Sequence, residues 1–433
     1  MKIGLYGGIA NNIYVFAKAL AAFGSDVCFI RDRSDRFPFS QPVWEDVEFR
    51  LPYETVVNAQ TWSWDRWTGI ETDLGWVSPP WLFDPLGVPF SRPQVTPLLR
   101  NPWDAYGLRR YLSLPHRSAI LNKMRQCDVL LVCGIEGSIL ANLSGKPYVI
   151  WPHGGDMMIA AGLLKPNWRR LRQRIVQSIV RRELVSAFAN SICVGCHEPT
   201  GISTDYYGAE HFIRRQNIAF LPIPIPIRTR PPPQERRRAL DDLLSEMGLE
   251  IPSDAIIGFV PSRLDYEWKG QDRLLQALVK MDQRGQASKL HLIFSGWGND
   301  FKAAQHFSAK HGVADRIFFL DSALSKPLLF RFYLAADFVI DQFKLGMYGT
   351  SALEAMACGA PLMIWLNESY ERPWGAPPVI QAQTSEDIAV ALQKILDGRI
   401  DLEQCGQALQ AWLGRVHNPL TVVRDLLSKF STA

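Results

Sequence analysis

The sequence predicts an α/β protein with two domains, each built on a parallel sheet. In both halves of the chain, short apolar segments of strand length alternate with segments of helical periodicity. This is the pattern of a parallel sheet covered by helices on both faces. The chain has 433 residues, too many for one ordinary core, and a proline-rich segment at 223–233 separates the halves. We therefore expect one domain over residues 1–222 and another over residues 234–415.

The first domain opens with a βαβ unit. A strand from Lys2 leads through a glycine loop to a helix over 13–23 and a second strand over 26–30. Later buried strands are predicted at 129–133, 148–151, 191–194 and 218–221. Residues 61–103 carry six tryptophans among many prolines, and we interpret them as an insertion. Their indole rings either pack beneath the loops or bind an acceptor.

The second domain repeats the alternation. Strands are predicted at 255–260, 290–295, 317–320, 338–340 and 362–364, with helices between them. Segment 223–233 reads as the linker, because repeated proline favours extended backbone and excludes helix. The chain ends in helical segments, the last over about 419–430, which has an apolar face for either domain.

Composition excludes several classes of protein. Hydrophobic residues at 47% and charged residues at 21% are ordinary for a globular protein and argue against disorder. The net charge of +4 allows an anionic substrate or a lipid surface and gives no reason to expect nucleic acid. No apolar stretch reaches the ~20 residues that span a bilayer, and the seven cysteines lie mostly in or beside apolar runs. We expect a cytoplasmic protein without disulfides.

The most informative motif is the loop and helix from Tyr348 to Glu354. Gly349, Thr350 and Ser351 open a helix at the carboxyl end of a strand, where open α/β sheets bind ligands. Backbone N–H groups at a helix start attract phosphate, and a carboxylate one turn later accepts hydrogen bonds from ribose hydroxyls. The stretch Ser351 to Glu354 also fits a capping box, in which Glu354 only returns a bond to the backbone.

Two further motifs of the second domain follow strand ends. Arg263 and Lys269 lie between a strand and a helix, where two fixed cations neutralise a departing diphosphate as a metal ion would. The alternative is a pair of solvated surface charges. Gly296 and Gly298 form a Gly-x-Gly turn that permits close approach of a ligand, or that is needed by the turn alone.

The first domain supplies two more candidates. Gly7 and Gly8 end the first strand without the third glycine of a dinucleotide fingerprint, so we expect their N–H groups to meet a phosphate or sugar oxygen. His153 and Asp156, in the string His-Gly-Gly-Asp, also follow a strand. His153 is placed to hydrogen-bond a transferred sugar, and Asp156 to bind a hydroxyl.

Taken in order, four stretches resemble one family. They are His153-Gly-Gly-Asp156, Arg263-x5-Lys269-Gly270, Gly296-x-Gly298 and Glu354-Ala-Met-Ala-Cys-Gly-Ala-Pro361. The chain resembles the retaining glycosyltransferases of family 4, also called glycosyl transferases group 1. That resemblance implies the GT-B fold, in which two Rossmann-like domains face each other across a cleft, with residues 416–433 as a helix that crosses back to the first domain.

The resemblance also implies roles. Arg263 and Lys269 would hold the diphosphate of a nucleotide sugar, Glu354 would bind its ribose, and His153 would lie beside the transferred sugar. The loop at Gly7 and Gly8 would approach the donor from the first domain. Such enzymes use no metal and no cofactor. Their acceptor, here a glycan, a lipid-linked molecule or a small molecule, usually binds the first domain.

One position departs from the family pattern. The first of two glutamates spaced eight residues apart would be at position 346, where this chain has Gly346. Contacts to the donor sugar must therefore differ, and backbone N–H groups from Gly346 to Gly349 are the candidates. Whether Asp341 compensates is open, since an Asp at a strand end also caps turns. A second hypothesis follows: a sugar-nucleotide-binding protein with little or no catalytic activity.

Two other patterns suggest different functions. Cys193-x-x-Cys196-His197 matches the attachment string for c-type haem and also suggests a thiol redox role. Against both, the chain shows no export signal and residues 191–194 read as a core strand. Residues 165–182 predict a basic helix that allows weak peripheral contact with an anionic membrane. Arg172 and Arg182 fall beside its apolar stripe, which favours the alternative of an ordinary helix with salt bridges.

Overall fold

The computed structural model describes residues 1–33, 35–59, 62–86, 115–163, 171–196, 209–213, 215–368 and 372–431. Its strands are β1 (Lys2–Tyr6), β2 (Asp26–Ile30), β3 (Arg50–Pro52), β4 (Leu82–Phe83), β5 (Val129–Val132), β6 (Tyr148–Ile150), β7 (Cys193–Cys196), β8 (Ile218–Phe220), β9 (Ile256–Val260), β10 (Leu290–Phe294), β11 (Ile317–Phe319), β12 (Ser322–Leu324), β13 (Phe338–Ile340), β14 (Leu362–Ile364) and β15 (Ile380–Gln381).

The α-helices are α1 (Asn12–Ala22), α2 (Pro42–Asp46), α3 (Tyr53–Asn58), α4 (Trp64–Asp73), α5 (Pro115–Arg125), α6 (Gly134–Ser144), α7 (Gly155–Ala161), α8 (Leu171–Asn190), α9 (Glu210–Ile213), α10 (Pro233–Glu246), α11 (Gln271–Gln283), α12 (Phe301–Lys310), α13 (Lys326–Ala335), α14 (Thr350–Ala357), α15 (Ser385–Leu396), α16 (Leu402–Val416) and α17 (Pro419–Ser431).

The first sheet is parallel and positions the loops of the first domain. In the described part of the chain it has seven strands in the order β4-β2-β1-β5-β6-β7-β8. Tyr6, at the end of β1, pairs in register with Ile30 and with Val132. The loops after β1, β2 and β5 therefore start side by side at one edge.

The second sheet is also parallel. Over the described residues its strand order is β11-β10-β9-β13-β14-β15. Val260 pairs with Phe294, and Phe259 pairs with Val339. The loops that carry Arg263, Gly296 and Asp341 thus leave the same edge, as the alternation of apolar segments predicts. Strand β15 was not predicted, because two residues are too short for a periodic signal.

Three connections join the two domains, and the covalent linker is the first. Residues 221–232, between β8 and α10, form no helix or strand, yet Arg230 anchors them by donating to the carbonyls of Gly359 and Ala336, both at 2.6 Å. Helix α17 packs on α1 of the first domain and buries Val422 and Leu426. Apolar residues of both domains thereby form one continuous core.

The third connection is a two-stranded antiparallel sheet. Strand β3 of the first domain pairs with β12 of the second, with Leu51 opposite Ala323. The Phe49 N–H donates to Ser325 Oγ at 2.8 Å, and the Ser325 N–H donates back to the Phe49 carbonyl at 3.0 Å. Buried Trp44, Leu51, Trp62, Trp67 and Ala323 form an apolar cluster over this ladder.

The tryptophans of the predicted insertion serve packing where they are described. Trp67 is buried, and its indole N–H donates to the Arg36 carbonyl at 3.1 Å. Trp62 packs against Trp67, with ring centroids 5.0 Å apart. The insertion is more regular than predicted, since residues 64–73 form α4 after Ser63 caps that helix. Trp103 lies outside the described residues.

Strand β7 bears on the haem and thiol hypotheses. It covers Cys193–Cys196, two residues later than predicted, because Ser191 still closes the turn after α8. Residues three apart on a strand point to opposite faces, and Cys193 accordingly packs in a different core cluster from its neighbour Val194. The two thiols therefore point to opposite faces of the strand and do not face one haem group. His197 lies outside the described residues.

The basic segment at 165–182 is only partly described. Helix α8 covers Leu171–Asn190, and residues 164–170 fall outside the described part. Among the described helices, none is both long and apolar enough to cross a membrane.

Candidate functional site

The Glu354 helix does not form the alternative capping box. Helix α14 starts after Gly349, so Ser351 is already inside the helix and caps nothing. The Glu354 carboxylate is almost fully buried. Its Oε1 contacts the Lys326 ammonium, and its Oε2 accepts from the Tyr333 hydroxyl at 3.4 Å. Glu354 is thus held by two side chains of α13 rather than by its own backbone.

The start of α14 meets the first domain. A Cβ on Gly349 would have open space around it, so a ligand can approach the backbone closely at this residue. Next to it, Thr350 Oγ1 donates to Asn12 Oδ1 at 3.3 Å, and Asn12 is the first residue of α1. The loop of Gly7 and Gly8, which leads into α1, therefore lies close to the Glu354 helix.

The two glycines of that loop differ in backbone conformation and in their neighbours. Gly7 has φ +147°, and a Cβ there would lie 2.7 Å from the Cys133 side chain. Gly8 has an ordinary backbone, and its Cβ would lie 3.3 Å from Asp32. Glycine is required at position 7 because a side chain would clash with Cys133 beneath the loop. Gly8 instead lies beside the polar side chain of Asp32.

Lys269 and Arg263 have different surroundings. The Lys269 ammonium lies 3.0 Å from Asp341 Oδ1 and is mostly shielded, with 18% of its side chain exposed. Ser262 Oγ donates to the same oxygen. Arg263 is 45% exposed, with its guanidinium 3.3 Å from Asp265. Asp341 is therefore no turn cap but the counter-ion of Lys269, and Arg263 is the more exposed cation.

Gln271 fixes the loop that carries both cations. It is fully buried at the start of α11. Its Nε2 donates to the Arg263 carbonyl at 2.8 Å, and its Oε1 accepts from the Asp265 N–H at 3.2 Å. The amide satisfies backbone groups that the Gly270 turn leaves without helical partners.

His153 faces the second domain across the cleft. His153 is exposed to solvent, and partial desolvation by the surrounding protein lowers the pKa of its imidazole. Asp35 opposes this shift, and Arg263 adds to it. The imidazole is therefore neutral at physiological pH, so it can both donate and accept one hydrogen bond.

Asp156 does not reach the cleft surface. It is 2% exposed, and its carboxylate accepts from the N–H of His153 at 2.9 Å and from that of Met157 at 2.8 Å. Burial raises its pKa to about 6, although these backbone bonds oppose the rise. The predicted contact between Asp156 and a hydroxyl does not match this position; Asp156 shapes the loop that presents His153.

The Gly-x-Gly turn is explained by packing. A Cβ on Gly296 would lie 1.2 Å from the Leu320 carbonyl oxygen, and one on Gly298 would lie 2.3 Å from that of Leu264. Gly298 also has φ +121°. Both glycines are required because backbones cross here, so the structure supports the turn alternative of the sequence prediction.

Packing explains the residue types at two positions of the 341–349 loop, whose backbone N–H groups were the predicted donor contacts. Gly346 has φ +71°, and its Cβ would lie 2.8 Å from that of Asn367, so a glutamate side chain has no room there. Tyr348 is buried, with its ring 5.6 Å from that of Trp412. The Tyr348 side chain belongs to the core, and only its backbone lines the loop.

Buried Gln342 organises this loop, although no sequence pattern singled it out. Its Nε2 donates to the carbonyls of Met347 and Trp365, at 2.7 and 2.8 Å. Its Oε1 accepts from the N–H groups of Lys344 and Leu345, at 2.9 and 2.6 Å. One amide thus fixes the turn that precedes α14.

A polar cluster at the first sheet's edge was also missed. The Tyr6 hydroxyl donates to Asp32 Oδ1 at 3.0 Å, and Arg117 donates to Glu136 Oε2 at 2.9 Å. Asp32 and Glu136 follow the ends of β2 and β5. These residues belong to no family motif, which is why the sequence did not single them out.

The structure therefore brings together His153 and Arg263, and separately the Gly8 loop and the start of α14. Lys269 and Glu354 lie on the same edge, each held by a buried partner: Asp341 and Lys326. Within the described ranges, no group of three or more His, Cys, Asp or Glu side chains is arranged to hold a metal ion.

Comparison with known proteins agrees with this architecture. Residues 247–412 match the family model described as glycosyl transferases group 1. A search of curated protein sequences found no match.

Solved structures show the same fold over the whole chain. HepE from Anabaena, solved in complex with UDP and glucose, is 14% identical with a TM-score of 0.61, covering 100% of this chain and 99% of its own. Sucrose-phosphate synthase from Thermosynechococcus elongatus is 14% identical with a TM-score of 0.59, covering 100% and 98%. The lipopolysaccharide outer core galactosyltransferase WaaB in its apo form is 13% identical with a TM-score of 0.53, covering 100% of each chain.

The predicted two-domain α/β architecture is therefore confirmed: the chain has the GT-B fold, and its second domain carries a glycosyl transferases group 1 domain at residues 247–412.

Proposed function

We propose that the protein transfers a sugar from a nucleoside diphosphate sugar to an acceptor hydroxyl, with retention of configuration and without a metal ion. The observation that carries this proposal is the pair of cations, Arg263 and Lys269, at the edge that also carries the open start of α14. Cations and helix N–H groups together suit a diphosphate. Solved relatives of the same fold include HepE with UDP-glucose, which favours a donor of this class.

The mechanism uses the leaving group as the base. The acceptor oxygen forms a bond to the anomeric carbon on the face from which the diphosphate leaves, the bond from that carbon to the diphosphate oxygen breaks, and the acceptor proton passes to the diphosphate. Negative charge grows on the diphosphate, where Arg263, Lys269 and the N–H groups of Thr350 and Ser351 stabilise it. Catalysis then depends on placing the two substrates more than on a general base.

The other residues have supporting roles in this proposal. Neutral His153 hydrogen-bonds the transferred sugar, Glu354 binds ribose, and the Gly8 loop closes the donor site. The acceptor, whether glycan, lipid-linked or small, binds at the first-domain edge where Asp32 and Glu136 lie. We expect the reaction in the cytoplasm, with peripheral membrane contact if the acceptor is a lipid.

A thermal-shift screen with UDP, GDP, ADP and their sugars tests donor binding, because a ligand that binds only the folded state raises the melting temperature. Sugar transfer from the donors that bind is then measured with and without EDTA. The proposal expects one base to raise the melting temperature and transfer to survive EDTA. A complete panel without any shift refutes it.

Lys269→Ala tests the diphosphate contact. We expect transfer to fall by about 100-fold or more, as when a preorganised charge at a transferred group is removed, while the fold is kept. The matched control is Lys280→Ala, since Lys280 pairs with Glu386 on the surface away from the cleft. Wild-type turnover in Lys269→Ala refutes the assignment.

Gly346 favours a second candidate, a sugar-nucleotide-binding protein without transfer. The position that carries a glutamate in the family pattern cannot hold one here. Nucleotide binding without transfer or hydrolysis of any donor in the panel identifies this alternative.

A further inference from the structure

The Glu354 carboxylate has a partner that no family motif contains. Lys326 is the first residue of α13, and 10% of its side chain and 6% of the Glu354 side chain are exposed. Lys326 contacts Glu354 Oε1, and Tyr333 donates to Oε2. Lys326 and Tyr333 are seven residues apart and so share a face of α13. One helix face therefore sets the orientation of the carboxylate.

Lysine is a costly choice at this position. The N-terminus of a helix carries partial positive charge, which disfavours a cation in the first turn. The Ser325 side chain does not cap the helix either; it accepts from Phe49 instead. A buried ion pair also adds little stability compared with apolar packing. Stability alone thus gives a weak reason for Lys326, which points to a role at the site.

A second carboxylate comes from the other domain. Helix α2 packs on α13, and Glu45 of α2 interacts electrostatically with both Lys326 and Glu354. Glu45 Oε1 is buried and accepts no hydrogen bond from the described residues. Although burial opposes it, Glu354 and Glu45 raise the pKa of Lys326. Lys326 therefore remains charged beside the Glu354 carboxylate.

We propose that Lys326 is a positioning residue for the nucleotide ribose: it orients the Glu354 carboxylate toward the ribose hydroxyls. This rests on the proposed function. A carboxylate has about four lone-pair positions, and Lys326 and Tyr333 use one on each oxygen. The remaining positions accept the ribose hydroxyls.

The test compares each nucleotide with a form that lacks the ribose hydroxyls. Isothermal titration measures binding of UDP, GDP and ADP and of their 2′,3′-dideoxy forms to the wild type, Lys326→Met, Lys326→Arg and the control Lys280→Met. For the base that binds, we expect the wild type to prefer the hydroxylated form about tenfold, the scale of one or two hydrogen bonds to a charged group. In Lys326→Met this preference falls below about threefold.

The ratio of the affinities for the hydroxylated and dideoxy nucleotides distinguishes a positioning role of Lys326 from a role in folding. General damage to the site weakens both forms equally and leaves the ratio unchanged, and that result overturns the inference. Lys326→Arg keeps the charge and restores most of the preference, whereas Lys280→Met matches the wild type. Adding Lys326→Met to Glu354→Gln causes no further loss of preference, because both act on one contact.

Failure of the proposed function is distinguishable. A wild type that binds none of the three nucleotides refutes donor binding itself and with it the role of Lys326. A wild type that binds one of them without preferring the hydroxylated form refutes ribose recognition by Glu354, while nucleotide binding stands.

Discussion

At the residue scale, the two glycines that precede α14 have different structural roles. Gly346 has φ +71° and is packed against Asn367, whereas Gly349 has an ordinary φ of −104° and open space at its Cβ position. The first is required by the fold. Gly349 leaves room for a ligand. The sequence alone does not distinguish these two glycines.

We therefore expect opposite effects from alanine. Gly346→Ala should lower the free energy of unfolding by about 1–3 kcal/mol, because a side chain is strained at that backbone conformation and in that space. Gly349→Ala should leave the free energy of unfolding almost unchanged and weaken nucleotide binding. Urea unfolding and calorimetric titration of both variants measure the contrast. Equal loss of stability in the two contradicts it.

The packing around Gly346 also predicts what happens when the glutamate of the family pattern is introduced there. Gly346→Glu recreates the usual glutamate, but its side chain meets Asn367 and Trp365. We expect lower stability and no gain in sugar transfer, measured by urea unfolding and a donor assay. A gain in turnover would show that the loop rearranges to accept the side chain.

Sequence reasoning found the residues that lie on the edge but not the partners that hold them. Lys269 and Glu354 were predicted from motifs, while their counter-ions, Asp341 and Lys326, lie 72 and 28 residues away in the sequence. Long-range pairing of buried charges leaves no local pattern. The one signal for Lys326 is a lysine at a helix start, where a cation is unfavourable.

At the element scale, the short helix α2 carries a titratable group into the domain interface. Burial raises the pKa of Glu45 to about 7. Lys326 and, more weakly, Lys18 lower this pKa, whereas Glu354 and, more weakly, Asp46 raise it further. Because the folded pKa exceeds the ordinary value, the folded state binds this proton more tightly than the unfolded chain. Its stabilising effect is complete below about pH 4.5 and is lost as the pH rises toward 7.

Glu45→Gln removes that dependence. Between pH 5 and about pH 7, the free energy of unfolding of the wild type should fall by roughly 2 kcal/mol relative to the variant. Urea unfolding at several pH values measures the difference, and Glu250→Gln, at an exposed position, is the control. Parallel pH profiles for the wild type and Glu45→Gln contradict the expectation.

The β3–β12 ladder is the element that sequence reasoning could least predict. Each strand has three residues, and neither is amphipathic over a full period. Apart from β4 and β15, the strands of the two parallel sheets were predicted within about two residues, because their buried runs are almost uniformly apolar. Pairing between three-residue segments of different domains depends on tertiary contacts alone.

Ala323→Asp should separate the domains at this ladder. Ala323 is 3% exposed within the cluster of Trp44, Leu51, Trp62 and Trp67, so a carboxylate there costs about 3 kcal/mol. We expect a larger radius of gyration by small-angle X-ray scattering and a lower melting temperature. Ala303→Asp, at an exposed position of α12, should change neither. Unchanged scattering of Ala323→Asp refutes the role of the ladder.

At the scale of the whole molecule, helix α17 belongs to the second domain by sequence and contacts the first by packing. Leu426→Ala should lower the free energy of unfolding by about 2–5 kcal/mol, because its fully buried side chain leaves a cavity beside α1. Leu420→Ala is the matched control, since Leu420 is 39% exposed. Urea unfolding measures both, and equal losses contradict the packing role of α17.

The β3–β12 ladder also has a consequence for engineering. Exchange of one domain with that of another protein of this fold would most simply place the cut in the linker after Leu221. Such an exchange would bring β3 and α2 from one parent against β12 and α13 from the other, and would separate α17 from the α1 on which it packs. A working exchange must therefore keep β3 and α2 with the parent of β12 and α13, and α17 with the parent of α1, so the unit of recombination does not follow the domain boundary.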